Sequence, residues 1–168
     1  ELINLVNLAA KKDNAAMEKL YNGYYTDIIF VCRKYNLSDA DADDIAQDSL
    51  VKAYLSSQTY SNNGRFKAWI YKIAYRTFLD YRKKIFNYTN LEQATGLSDE
   101  ATNSDNAFQY QELYDALNQL NEKERTSILL FYIKGYSIKE ISMIIETSED
   151  AVKKQLSRGR EHLKTKMK

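Results

Sequence analysis

The sequence has no proline, five glycines, one cysteine and one histidine among 168 residues. Tight turns draw heavily on proline and glycine, so their scarcity argues against a sheet protein of many turns and suits long helices. The single thiol, Cys32, excludes an internal disulfide and a cysteine-based zinc cluster. Its place in the run Ile28-Ile29-Phe30-Val31-Cys32 reads as a buried, inert core position. His162, the sole imidazole, stands in a basic stretch, so no Cys–His or Ser–His–Asp set can be assembled and it reads as a solvated helix residue. No apolar run approaches the roughly 20 residues of a membrane span, and the first residues lack a basic-then-apolar signal pattern. The expectation is a reducing, cytoplasmic setting with no membrane insertion of its own. Asp41, Asp43, Asp44 and Asp48 are spread around a helix without a calcium-loop spacing, so neither a metal nor a cofactor is expected.

What is present is apolar periodicity: 44% of the residues are hydrophobic, and fourteen are tyrosines that can sit half-buried with a wet hydroxyl. Leu2, Leu5, Val6 and Ala9 fit one helix face. Asp13 can cap a second helix, lined by Leu20, Tyr24, Ile28, Val31 and Tyr35. Ser38 with Asp41 opens a third, carrying Ala42, Ile45, Ala46, Ser49 and Ala53 inward. After a polar loop, Phe66, Trp69, Ile70, Ile73, Ala74, Thr77 and Phe78 form the stripe of a fourth. Residues 89–106 then hold four acids, no Lys or Arg and little periodicity, which predicts a tether. Helical pattern resumes with Leu113, Leu117 and Leu120. Asn121 and Glu124 make a cap-like pair before Ile128, Leu129 and Tyr132, and Gly135 is a plausible stop. Ser137-x-x-Glu140 is a capping box, and Ser148 starts a last helix with the narrow stripe Val152, Leu156 and Leu163. The expected fold is all-α, with two small helical domains at 1–86 and 108–168 joined by a flexible acidic linker at 87–107.

The net charge of +1 is a sum of opposed patches. Residues 39–51 hold five acids and no base, residues 65–84 seven bases against Asp80, and residues 152–168 seven bases against Glu161. One basic run is usually a solvated helix face. Two such runs, one in each domain, favour a polyanion that touches both.

Residues 137–167 have the spacing of a helix-turn-helix, whose second helix enters the major groove by its N-terminal half. Ser148, Glu149, Asp150, Lys153, Lys154, Ser157, Arg158 and Arg160 are the candidates for bases and phosphates there. The runs Leu117–Arg125, Gly135–Ile141 and Ala151–Leu163 resemble the −35-binding domain of bacterial RNA polymerase sigma factors of the extracytoplasmic-function kind. The pattern departs where Asn121 replaces the usual Pro, Glu146 the usual turn Gly, and Gly159 a better helix former. The last is expected to cost about 1 kcal/mol.

The N-terminal half resembles the same family. Asp41–Ser49 is similar to its acidic helix, which implies that Asp41, Asp44, Gln47 and Asp48 contact the core polymerase. Phe66–Ala74, continuing to Asp80 and Arg82-Lys83-Lys84, is similar to the helix that reads the −10 element, with Arg76 where the family usually has Asn. Opening a duplex needs cations for phosphate and groups that read an extruded base. Arg65, Lys67, Lys72, Arg76, Lys83 and Lys84 supply the first, and the amides and hydroxyl of Ser61, Asn62 and Asn63 the second. The resemblance implies a promoter-recognition subunit, not an enzyme by itself, with core RNA polymerase, promoter DNA and an anti-sigma factor as partners. An ordinary helix-turn-helix regulator, which binds duplex without being a polymerase subunit, and a pure protein-interaction module remain open alternatives. The first explains residues 107–168 but leaves the acidic helix and the first basic run unexplained.

Overall fold

The computed structural model describes residues 2–35, 37–60, 65–93 and 111–167, and every regular element among them is helical. The helices are α1 (Leu2–Ala10), α2 (Asn14–Arg33), α3 (Asp39–Ser56), α4 (Phe66–Gln93), α5 (Gln111–Asn118), α6 (Glu122–Ile128), α7 (Ile138–Ile144) and α8 (Glu149–Lys166). They divide into two compact units, the first holding α1–α4 and the second α5–α8.

Local chemistry sets the starts. The Asp13 carboxylate accepts from the Ala16 amide at 2.8 Å and opens α2. Ser38 and Ser148 cap α3 and α8 by accepting from the amides of Asp41 and Ala151, each at 3.1 Å. Asn121, where the family usually has Pro, caps α6 by accepting from the Glu124 amide at 2.9 Å. Both halves of the Ser137–Glu140 capping box are formed.

In the first unit α3 packs between α2 and α4. It can do so because Ala42, Ala46, Ser49 and Ala53 are small and buried, with Ile45 and Leu50 filling the remainder. The buried Ser49 hydroxyl donates to the Ile45 carbonyl at 2.5 Å, which satisfies it inside its own helix. The face of α2 differs from the expected one. It buries Ala16, Leu20, Tyr24, Ile28 and Cys32 and stops at Arg33, so Val31 is half-buried and Tyr35 falls past the helix end. Burial pushes the Cys32 thiol up to about 12, which makes it the inert core thiol that its surroundings predict. Helix α4 runs on to Gln93, beyond the boundary expected at residue 86, because nothing from Phe86 to Gln93 breaks a helix. Of the expected linker, residues 94–107 lie outside the described residues.

In the second unit α8 packs on α6 and α7, and also meets α5. The chain widens to a π-helical pitch over Leu129–Ile133 before stopping at Gly135, whose φ of 71° takes the left-handed conformation that glycine tolerates. That change of pitch turns Tyr132 outward, where the sequence pattern places it inward.

Two departures from the family pattern have structural causes. Glu146 adopts the left-handed conformation itself, at φ 54°, so the turn before α8 keeps its shape at the cost of strain in a non-glycine residue. Gly159 is buried against α6, and a Cβ placed there would stand 2.9 Å from Ile128 Cγ1. The glycine is therefore needed for helix–helix approach and is not a simple loss of helix propensity.

Candidate functional site

On α3, Asp44, Gln47 and Asp48 are exposed and face away from the core, while Asp41 is half-buried. Asp41 is held from two sides. Its carboxylate accepts from the Ser38 hydroxyl at 2.6 Å, and it is hydrogen-bonded by the Tyr81 side chain of α4. Burial first, then that bond and the charges of Asp41 and Asp44, hold the Tyr81 phenol above its ordinary value of 10.0. Asp48 pairs with Lys52 at 2.8 Å, and the Lys52 ammonium also reaches the Thr77 hydroxyl of α4 at 3.3 Å. Gln47 donates to Asp43 at 2.8 Å. Asp41 thus fastens α3 to α4, and Asp44, Gln47 and Asp48 present the outward edge.

Arg65, immediately before α4, and Lys72, Arg76 and Lys83 on it recur at spacings of 7, 4 and 7 and so fall on one stripe, about 27 Å long at 1.5 Å per residue. Lys67 and Lys84 are exposed on other sides of the helix, off that stripe. Trp69, read from the sequence as core, is half-buried and packs its ring 5.2 Å from Tyr60 and 5.4 Å from Phe66. This aromatic cluster closes the end of the bundle over a small apolar cavity of about 30 Å³ lined by residues such as Leu20, Leu50 and Ile70. Ser61, Asn62 and Asn63 lie outside the described residues.

In the second unit Ser148, Glu149, Asp150, Lys153, Lys154, Ser157, Arg158 and Arg160 are all exposed. They do not share one face. Val152, Leu156 and Gly159 are buried, and opposite them by helical register stand Asp150, Lys154, Ser157 and Arg158, with Lys153 at the edge. Asp150 and Lys153 pair at 3.4 Å. The Ser148 hydroxyl is engaged in the cap, Glu149 lies toward the packed side, and Arg160 donates to the Tyr132 hydroxyl at 3.2 Å. The set on the open face of α8 is therefore narrower than the candidate set.

Three residues escaped the sequence reading. Tyr81 and Lys52 bond across helices at no local spacing. His162 is not merely solvated, for its Nδ1 lies 3.0 Å from the carboxylate of Glu124, a side chain only 4% exposed. Among the described residues no group of His, Cys, Asp and Glu could hold a metal ion, and no helix is long and apolar enough to cross a membrane.

Comparison with known proteins decides the family. Residues 20–85 match the Sigma-70 region 2 model and residues 110–163 the Sigma-70, region 4 model. The chain belongs to the sigma-70 family, as an ECF sigma factor. It is 29% identical over 171 residues to the ECF RNA polymerase sigma factor SigW of Bacillus subtilis, covering 94% of this chain and 91% of the relative. It is 26% identical over 178 residues to the ECF RNA polymerase sigma-E factor of Haemophilus influenzae, covering 97% and 93%. The fold is shared with the sigma factor RpoE in complex with the anti-sigma factor NepR from Bartonella quintana, at a TM-score of 0.76, 21% identity and coverage of 89% and 95%. It is shared too with CnrH in complex with the cytosolic domain of CnrY, at a TM-score of 0.74, 24% identity and coverage of 97% and 94%. In this sigma factor, α2–α4 hold the matched part of region 2 and α5–α8 that of region 4.

Proposed function

We propose that this sigma factor directs promoter-specific initiation with three separate surfaces. The outward edge of α3, with Asp44, Gln47 and Asp48, docks on core RNA polymerase. The stripe Arg65, Lys72, Arg76 and Lys83 along α4 holds the melted −10 strand, with Ser61, Asn62 and Asn63 assigned to an extruded base. The outer face of α8, with Lys153, Lys154, Ser157 and Arg158, reads the −35 duplex.

One observation carries the reading. Two packed neighbours in a single bundle turn opposite charges away from their shared core, acid on α3 and base on α4. A duplex-binding regulator has no need of the acidic helix, whereas a polymerase subunit needs a protein-facing surface and a DNA-facing one. The subunit itself is non-catalytic, since bond formation belongs to the polymerase, and its working compartment is the cytoplasm. An anti-sigma protein is the regulating partner, a reading supported by the complex of the RpoE neighbour with NepR.

The test is transcription from a library of promoter fragments with purified core enzyme. Added protein is expected to give initiation at a defined subset of fragments. No initiation anywhere, together with no co-purification of core enzyme, would sink the reading.

A further inference from the structure

Helix α3 carries a second feature on the same outward face as its acids. Val51 is 53% exposed and Leu55 74% exposed, unlike the apolar residues of α3 that form the core. Asp44, Asp48, Val51 and Leu55 recur at steps of 4, 3 and 4, which is the spacing of a helix seam that meets another helix. By register they fall in one arc opposite the buried Ala42, Ala46, Ser49 and Ala53. The seam is about 16 Å long at 1.5 Å per residue, acidic in its N-terminal half and apolar in its C-terminal half.

The two halves differ in what docking can gain from them. Asp48 is already paired with Lys52 at 2.8 Å, so a basic group on a partner replaces an existing ion pair and adds little. Val51 and Leu55 hold more than half of their surface in water, and covering them removes that aliphatic surface from it. Charged pairs at the edge of such an interface mainly set register and speed encounter, while the buried apolar anchors hold it.

We infer that Val51 and Leu55 are the apolar anchors of the polymerase contact. The occupant is a helix of the core enzyme with basic side chains opposite Asp44 and Asp48 and apolar ones opposite Val51 and Leu55. The inference rests on the docking reading of α3 given above, and the occupant follows from continuity of the seam with that acidic edge.

Titration of labelled full-length protein with core polymerase, at low and at raised salt, tests it. Val51→Ser with Leu55→Ser is expected to weaken core binding about thirtyfold, with unchanged salt dependence and an unchanged unfolding midpoint, since both side chains are exposed. Leu55→Met should keep the affinity, and Asp48→Asn should cost less than about threefold. Unchanged core affinity in the double serine variant, alongside loss of binding by Asp44→Lys with Asp48→Lys, overturns the inference and leaves the docking reading standing. If the double lysine variant also binds normally, the docking reading falls with it. A wild-type chain that dimerises, and a serine variant that is monomeric with normal core affinity, would assign the seam to a second copy and overturn the inference as well.

Discussion

Helices α3 and α8 are each 18 residues long, each opens on a serine cap, and each carries two acids in its first turn, yet α3 buries six residues and α8 three. The difference follows from their neighbours. Packed between α2 and α4, α3 must offer apolar surface on two sides, and small residues let both neighbours approach. What is left for function is a narrow outward edge, where Asp48 is already engaged by Lys52; Asp41 is taken up by Tyr81 on the packed side. Helix α8 packs through a single thin stripe and leaves most of its circumference in solvent, which suits the groove-reading role proposed for it. Heavy burial is compatible with the docking role proposed for α3, whose partner needs one strip, and not with the reading role proposed for α8.

On the open face of α8 the effect is expected on promoter binding. Lys153→Ala with Arg158→Ala should weaken promoter binding by assembled holoenzyme at least about tenfold and lower the salt slope by about 2 units, since each phosphate contact contributes about 0.9. An unaltered slope would mean that α8 is not the reading helix.

Gly159→Ala sharpens the comparison on the packed side of α8. The added methyl meets Ile128 Cγ1 at 2.9 Å, and overpacking of this kind outweighs the gain in helix propensity, for a net loss of about 1–2 kcal/mol in urea unfolding. A stabilised variant would show that the glycine is not needed for the approach of α8 to α6.

Tyr81→Phe probes the packed side of α3, where loss of the bond to Asp41 should cost about 1 kcal/mol at neutral pH. Because the folded phenol is held above its ordinary value of 10.0, the unfolded chain ionises first as pH rises. The contribution of Tyr81 is therefore full below about pH 10 and is lost progressively above it. The phenylalanine variant should show a shallower alkaline loss than the wild type, and equal slopes would remove Tyr81 from the account. The smallest change is expected from Glu146→Gly, which relieves the left-handed strain at φ 54° and offsets it partly through chain entropy. The net gain should be about 0.5 kcal/mol in the same unfolding measurement. A loss of stability would show that the Glu146 side chain contributes more than its conformation costs.

The caps and apolar stripes were legible because they are set by residues three or four apart: Ser38 with Asp41, Asn121 with Glu124, Ser137 with Glu140 and Ser148 with Ala151. The charge reversal between α3 and α4 was legible for the same reason. What depended on partners distant in sequence was not. Gly159 reads as a weak helix residue until α6 is placed beside it, and His162 as solvated until the buried Glu124 meets it. The run Leu129-Leu130-Phe131-Tyr132-Ile133 is apolar throughout, so no periodicity could announce the π pitch that turns Tyr132 outward. The outward position of Val51 and Leu55 was likewise hidden, because apolar residues in a helix read as core until the core is seen to lie elsewhere.

If α3 serves the polymerase and α8 the promoter, a crossover of two variants separates the two roles. Core affinity and promoter binding by holoenzyme assembled at saturating protein are determined for Asp44→Lys with Asp48→Lys and for Lys153→Ala with Arg158→Ala. A fall of about a hundredfold in core affinity is expected for the first variant, with core affinity unchanged and promoter binding weakened for the second. Equal effects of both variants on core affinity, or none by the first, would contradict that separation of roles.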